Sequence, residues 1–240
     1  MSTLADIWRD VTGLLFGRTC MVCGGELFDG ERDICTACSY MMPLTGFAAE
    51  ADNALARRFW GVVPVERAAA LIYFIHGSDW QRMIHGFKYR DKWRWAYVMG
   101  RRLGAALRDG GLFADVDTVV PVPLHTGRLL RRGYNQSDYI ARGVAEEMGI
   151  GYDRRILYRR RNNPSQTTMS ESEKRDNVRD LFGIRRAGSL AGRHILIVDD
   201  VITSGETVTA CIEAFTSAGA QCRISVASVA ASQRKYGGRG

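Results

Sequence analysis

The sequence predicts an α/β fold: a parallel sheet with flanking helices, joined to a small N-terminal module. Two observations carry this. From residue 68 onward, apolar runs of strand length alternate with amphipathic stretches of helix length, the order that gives a parallel sheet covered on both faces. Ahead of them, Cys20, Cys23, Cys35 and Cys38 stand as C-x2-C-x11-C-x2-C. A chain of 240 residues has room for one domain of about 150–200 residues and one smaller unit.

The elements follow in order. Met1 to Phe16 places Leu4, Ile7, Trp8, Val11, Leu14 and Leu15 at helical spacing, so residues 1–16 are expected to form an amphipathic helix against the cysteine module. Residues 17–60 hold that module and a polar connection. The α/β domain is expected over 61–231. Within it, Ala68 to Ile75 reads as a strand ended by His76-Gly77-Ser78-Asp79. Trp80 to Tyr89 reads as a helix, and Arg94 to Leu107 as a second one stopped by Gly110 and Gly111. Val116 to Val122 has the near-continuous apolarity of a buried parallel strand. Ser137 to Met148 is a helix closed by Gly149. Residues 158–180 are polar and Arg-rich, contain Asn162-Asn163-Pro164, and read as a long mobile loop. His194 to Val198 is another buried strand, followed by a Gly-containing turn and a helix to about Ala218. Ile224 to Ala231 is the last strand, and the basic, Gly-rich tail 232–240 is expected to fray.

Composition narrows the function classes. Hydrophobic residues make up 46% and charged residues 25%, an ordinary globular balance that excludes a wholly disordered or collagen-like chain. No run approaches the roughly 18 apolar residues of a membrane-spanning helix, which argues against an integral membrane protein. The start carries Asp6 and Asp10 and lacks a basic segment followed by a long apolar one, so a cytoplasmic location is expected. The net charge of +7 favours an anionic partner. Lys88, Lys92, Lys174 and Lys235 are the only lysines among 33 basic residues, so 29 are arginine. Arginine grips phosphate in a fork; GC-rich coding is the alternative source of the excess.

Cysteines at C-x-x-C spacing project from tight turns, and two such turns supply four sulfur ligands in a tetrahedron. Gly24 and Gly25 give the first turn its reversal. The spacing fits a zinc ribbon with Cys20, Cys23, Cys35 and Cys38 as ligands of a structural Zn²⁺. A disulfide framework and a redox pair are the rivals. A closed four-cysteine site leaves no open coordination position, so its work is folding. Cys211 and Cys222 lie in apolar contexts and read as small core residues.

The second sharp signal is His194-Ile-Leu-Ile-Val-Asp-Asp-Val-Ile-Thr-Ser-Gly-Glu-Thr207. An apolar strand runs into Asp199 and Asp200. A turn of hydroxyl residues around Gly205 follows, and then a helix begins. Free N–H groups at the helix start, with the hydroxyls of Thr203, Ser204 and Thr207, make an anion cradle, and Gly205 admits close approach. Two carboxylates repel phosphate but accept hydrogen bonds from vicinal hydroxyls. Phosphate at one end and sugar hydroxyls at the other describe a ribose 5-phosphate site. An Asp-capped turn with no ligand is the bland alternative.

This segment resembles the 5-phosphoribosyl-1-pyrophosphate (PRPP) signature of type I phosphoribosyltransferases, D-D-x-x-T-T-G-x-T after a hydrophobic strand. Ser204 stands where Thr is commoner, and Glu206 where a small residue is usual. The whole chain resembles the ComF (competence protein F) family, which joins a four-cysteine zinc ribbon to a phosphoribosyltransferase-like domain. The matching features are the cysteines, His85-Gly-Phe-Lys-Tyr89, Val120-Pro-Val-Pro123, Arg132-Gly-Tyr-Asn-Gln136, Gln166, Arg175-Asp-Asn-Val178, Phe182 and the PRPP loop. Asn163 departs from the Thr expected there.

From these the site is assembled. Asp199 and Asp200 would orient the ribose, and the loop Thr203, Ser204, Gly205, Glu206 and Thr207 would hold the 5-phosphate. Arg128, Arg132 and Lys88 are assigned to pyrophosphate or another polyanion, with a solvated basic face as the alternative. Asn135 and Gln136 either hold that loop or cap the next helix. Arg159, Arg160, Arg161 and Arg175 would make the lid basic. His76 and His85 read as solvated or structural, and His125 sits near the pyrophosphate loop. The aromatics Trp80, Phe87, Tyr89, Trp93, Trp95 and Tyr97 could stack bases, though at helical spacing such residues more often build core.

The resemblance implies PRPP or ribose 5-phosphate as ligand and Mg²⁺ beside pyrophosphate. It also implies a role in natural DNA uptake, with single-stranded DNA and other competence proteins as partners. The alternatives are an active phosphoribosyltransferase of nucleotide metabolism and a PRPP-responsive regulator.

Overall fold

The computed structural model describes residues 18–89, 92–160 and 181–236. The expected N-terminal helix and all but the first residues of the expected 158–180 loop, Gln166 and Arg175 among them, lie outside these. In chain order the strands are β1 (Ala68–Phe74), β2 (Thr118–Pro121), β3 (Gly151–Tyr152), β4 (Leu157–Arg159), β5 (Phe182–Ile184), β6 (His194–Ile202) and β7 (Arg223–Ser232). The helices are α1 (Thr36–Tyr40), α2 (Ala54–Arg57), α3 (Asp79–Gly86), α4 (Trp93–Asp109), α5 (Thr126–Arg132), α6 (Gln136–Met148), α7 (Glu206–Ser217) and α8 (Gln233–Tyr236).

Five strands form one parallel sheet in the order β1-β7-β6-β2-β3, and β4 pairs antiparallel with β5 apart from it. β6 and β7 are central and almost wholly buried, which is why they read as continuous apolar runs rather than alternating ones. The sheet ends where the sequence places prolines: Pro121 closes β2, and Asn135 ties the next segment back by donating from Nδ2 to the Val122 carbonyl at 2.9 Å.

Helix α6 seats on α4 through glycine. A Cβ added to Gly100 or Gly143 would collide with the Ile140 or Tyr97 carbonyl oxygen, and one on Gly104 would come within 2.9 Å of the Val144 carbonyl. The two backbones therefore approach closely, and this fixes the N-terminus of α6 under the ends of β2 and β6. Asn135 caps that end, accepting from the Ser137 N–H at 3.2 Å.

Two stretches differ from the sequence reading. Residues 126–132, expected as loop, form α5; it buries none of its residues, so it has no apolar stripe to betray it. The His125 ring, placed by sequence near the pyrophosphate loop, caps α5, its Nδ1 accepting from the Gly127 N–H at 3.1 Å. The tail expected to fray from residue 232 is packed as far as Tyr236, which is buried and donates from its hydroxyl to the Thr203 carbonyl at 2.9 Å. Its anchoring residue is aromatic, a point the basic, Gly-rich composition hides. Among the described residues no helix is long and apolar enough to cross a membrane.

The cysteine module leans on the sheet edge. Leu44 bridges Ile72 of β1, the Tyr73 N–H donates to the Pro43 carbonyl at 2.8 Å, and Arg94 pairs with Asp33 at 3.2 Å.

Candidate functional site

Two constellations stand out. The first is the cysteine cluster: the Sγ atoms of Cys20, Cys23, Cys35 and Cys38 all lie within 4.8 Å of one another. Backbone amides of both turns point at the sulfurs. The Cys35 N–H points at the Cys20 sulfur at 3.3 Å, the Gly25 N–H at Cys23 at 3.4 Å, and the Cys38 N–H at Cys35 at 3.4 Å. The reversal passes through Gly24 at φ +77°, where the Gly24 N–H donates back to the Cys20 carbonyl at 2.9 Å. Burial works against a thiolate at Cys20, yet the amides of Cys35, Cys23 and Val22 bring it down to about 7. A tetrahedron of Zn–S bonds of about 2.3 Å needs sulfurs about 3.8 Å apart; Cys23 and Cys35 stand at 3.9 Å. The cluster could bind zinc with little rearrangement.

The second lies at the carboxyl ends of β2 and β6, where parallel sheets bind ligands. Here β6 runs on to Ile202, beyond the predicted Val198, so Asp199 and Asp200 belong to the strand end itself. The Ser137 hydroxyl donates to Asp199 Oδ1 at 3.0 Å, and the Asp200 N–H donates to the same oxygen at 2.9 Å. Gln136 donates from Nε2 to Asp200 Oδ2 at 3.2 Å and accepts on Oε1 from the Arg132 guanidinium at 3.0 Å. So Arg132, Gln136 and Asp200 form one chain of hydrogen bonds, set by the N-terminus of α6. Desolvation first, and the Asp200 charge next, push Asp199 up to about 8.

The turn after β6 has the expected form. Gly205 sits at φ +82°, directly before α7. Its carbonyl accepts the first helical bond, from the Thr209 N–H at 2.8 Å. Among the described residues, the N–H groups of Thr203, Ser204, Gly205, Glu206 and Thr207 donate to no protein acceptor. The loop's carbonyls, by contrast, are held from outside: Tyr236 binds that of Thr203, and Arg58 donates from Nε to that of Ser204 at 2.9 Å. Glu206 is exposed at the first turn of α7.

Arg132 has its guanidinium pulled below the ordinary value by burial, with Asp200 opposing and Arg128 and Arg131 adding to the fall. Lys88 is exposed after α3, and His85 feels both ends of the site: partial desolvation and then the Lys88 charge lower it, while Asp200 raises it. Tyr134 ties this rim together, donating its hydroxyl to the carbonyls of Phe87 and, at 2.6 Å, of Tyr89. Arg159, at the end of β4, is lowered by burial and by Arg128; its Nε is buried and has no hydrogen-bond partner among the described residues. The aromatics divide: Trp80 and Phe87 are core, whereas Tyr89 and Trp93 are exposed.

Sequence reasoning missed Arg58, Phe59, Ser137 and Tyr236. Ser137 had a signal, lying directly after Asn135-Gln136. The other three reach the loop from distant segments that carry no local pattern.

A phosphoribosyl transferase domain model matches residues 129–237. Competence protein F of Haemophilus influenzae is 24% identical over 202 residues, covering 80% of this chain and 88% of that protein. The chain is a homologue of competence protein F. DNA utilization protein YhgH of Salmonella typhi is 34% identical over 130 residues, 52% of this chain and 56% of the relative. Among solved structures, glutamine PRPP amidotransferase from Bacillus subtilis has a TM-score of 0.41 at 22% identity, over 60% of this chain and 30% of that one. The competence protein F homologue joins a parallel sheet with flanking helices, as in phosphoribosyltransferases, to an N-terminal cysteine cluster consistent with a small zinc ribbon.

Proposed function

We propose that this chain binds the ribose 5-phosphate group of PRPP at the turn after β6 and serves DNA uptake by handling incoming single strands. The observation that carries the ligand is the run of unengaged N–H groups from Thr203 to Thr207 beside the Asp199–Asp200 pair. Five amides at a helix start, with the hydroxyls of Thr203, Ser204 and Thr207, suit the three terminal oxygens of a phosphate monoester. Asp199 and Asp200 accept from the ribose hydroxyls, and Gln136 keeps Asp200 from swinging away. Arg132, Arg128 and Lys88 take the pyrophosphate, where arginine forks neutralise charge as it develops on a leaving group. Mg²⁺ carried in with PRPP would supply further charge neutralisation to the pyrophosphate. Phosphoribosyl transfer would break the bond from the ribose to pyrophosphate as a nucleophile bonds to the same carbon.

The names of the relatives support the cellular role. Exposed Tyr89, whose carbonyl is held by Tyr134 just after α5, and exposed Trp93 suit a single strand whose bases stack while its phosphates meet cations. A thiolate cluster of this kind suits the reducing cytoplasm.

Calorimetry with PRPP and Mg²⁺, ribose 5-phosphate and ribose tests the ligand. The first two are expected to bind and ribose is not; silence with both phosphorylated sugars overturns the reading. Pyrophosphate release with candidate acceptors, abolished by Asp199→Asn, would mark an enzyme. Single-strand affinity is expected to fall steeply with salt, and a flat response would exclude the DNA role.

A further inference from the structure

The loop after β6 is poor in positive charge. Between Arg193 and Arg223 the chain holds no Lys or Arg, while Asp199, Asp200, Glu206 and Glu213 are all acidic. A dianionic phosphate there would meet amide dipoles but no cation from its own strand–turn–helix unit.

The structure brings a cation from the segment that links the cysteine module to the sheet. Asn53 is buried and caps α2, accepting from the N–H groups of Leu55 and Ala56 at 3.0 and 2.9 Å. Its Nδ2 donates to the carbonyls of Glu50 and Ala68 at 2.6 and 2.9 Å. This network fixes a short helix whose last turn delivers Arg58 and Phe59 to the loop. Phe59 is fully buried, and its ring lies 3.3 Å from where a Cβ of Gly205 would be. Arg58 donates from Nε to the Ser204 carbonyl at 2.9 Å, which holds the planar guanidinium against the turn. Its two Nη groups are left for another partner. Among the described residues Arg58 forms no ion pair, whereas its neighbour Arg57 pairs with Asp52 at 2.6 Å.

We infer that Arg58 is a phosphate-binding residue of this site, its guanidinium supplying to the 5-phosphate the charge that the turn lacks. It comes from outside the matched transferase domain. The inference rests on the reading of residues 203–207 as a phosphate cradle.

The test is calorimetry of the full chain with ribose 5-phosphate. Arg58→Ala is expected to weaken binding by roughly 10- to 100-fold, as loss of a charged hydrogen-bond partner does. Arg58→Gln decides between charge and mere support, since its amide can still donate to the Ser204 carbonyl; it is expected to lose nearly as much affinity as Arg58→Ala. Arg58→Lys should recover part, and Arg57→Ala should bind like the parent. Should Arg58→Gln bind like the parent, Arg58 acts only by holding the loop and the inference falls while the phosphate cradle stands. If the parent itself binds no ribose 5-phosphate, both fall together. Melting temperatures guard against misfolding, with Arg58→Gln the least disruptive of the set.

Discussion

Replacing Gly205 by alanine tests the shape of the phosphate turn directly. Gly205 occupies the left-handed region at φ +82°, where a side chain costs about 1–2 kcal/mol. Alanine there would also bring its Cβ to 3.3 and 3.4 Å from two atoms of the Phe59 ring. Phe59 is fully buried, so it cannot yield freely, and crowding of this kind costs about 1 kcal/mol or more. The sum is about 2–3 kcal/mol. For a chain of this size each kcal/mol lowers the melting temperature by about 2–4 °C, so a fall of roughly 4–12 °C is expected by circular dichroism. Gly61 is the control: it has φ +72° but nothing within 4 Å of an added Cβ, so Gly61→Ala carries the backbone cost alone. Gly205→Ala should be the more damaging of the two and should also weaken ribose 5-phosphate binding. Equal melting temperatures for the two variants would refute the contact between the linker and the turn.

Other expectations follow from the same physics. Because the folded pKa of Asp199 is raised to about 8, its contribution to stability is full below about pH 4 and is lost as pH rises through 8; Asp199→Asn should flatten the melting temperature between pH 5 and 8. His194 behaves oppositely. Burial depresses it, with Arg223 and Arg67 adding to the fall and Asp115 opposing, so stability is lost as pH drops below about 6.5, and His194→Gln should remove that loss. Metal analysis should find one zinc per chain, lost with a lowered melting temperature in Cys20→Ser or Cys38→Ser and retained in Cys222→Ser. Arg159 is half-buried, and its Nε is buried with no hydrogen-bond partner among the described residues. Arg159→Met should therefore raise the melting temperature of the ligand-free protein by about 2–4 °C, as an apolar replacement worth about 1 kcal/mol would; a fall would show that the charge is paired.

Much of the sheet was legible because parallel strands buried on both faces announce themselves as apolar runs, and β1, β2, β6 and β7 all do. The turn was legible because the order strand, acid pair, hydroxyls, glycine and helix is local. The hydrogen bonds of Asn135 and Gln136 are local too, and both alternatives weighed for them hold at once: Asn135 caps α6 and also binds the Val122 carbonyl, and Gln136 holds Asp200. What escaped is non-local. Arg58 and Ser204 are 146 residues apart, and no periodicity reports such a meeting. Helix α5 escaped for another reason: lacking a buried face, it is specified by its ends, His125 and Gly133 at φ +81°.

The strand order has a practical corollary for anyone wishing to express the transferase portion alone. β1 and β2 precede residue 129, yet β1 runs along the flank of β7 from Ala68 opposite Val226 to Phe74 opposite Ser232. A fragment trimmed to the matched residues would leave β7, rich in alanine and valine, as a naked border with open amides and carbonyls. Such a border recruits other chains. Insoluble fibrous or amorphous material is the expected product, and a soluble recombinant fragment would have to begin before Ala68.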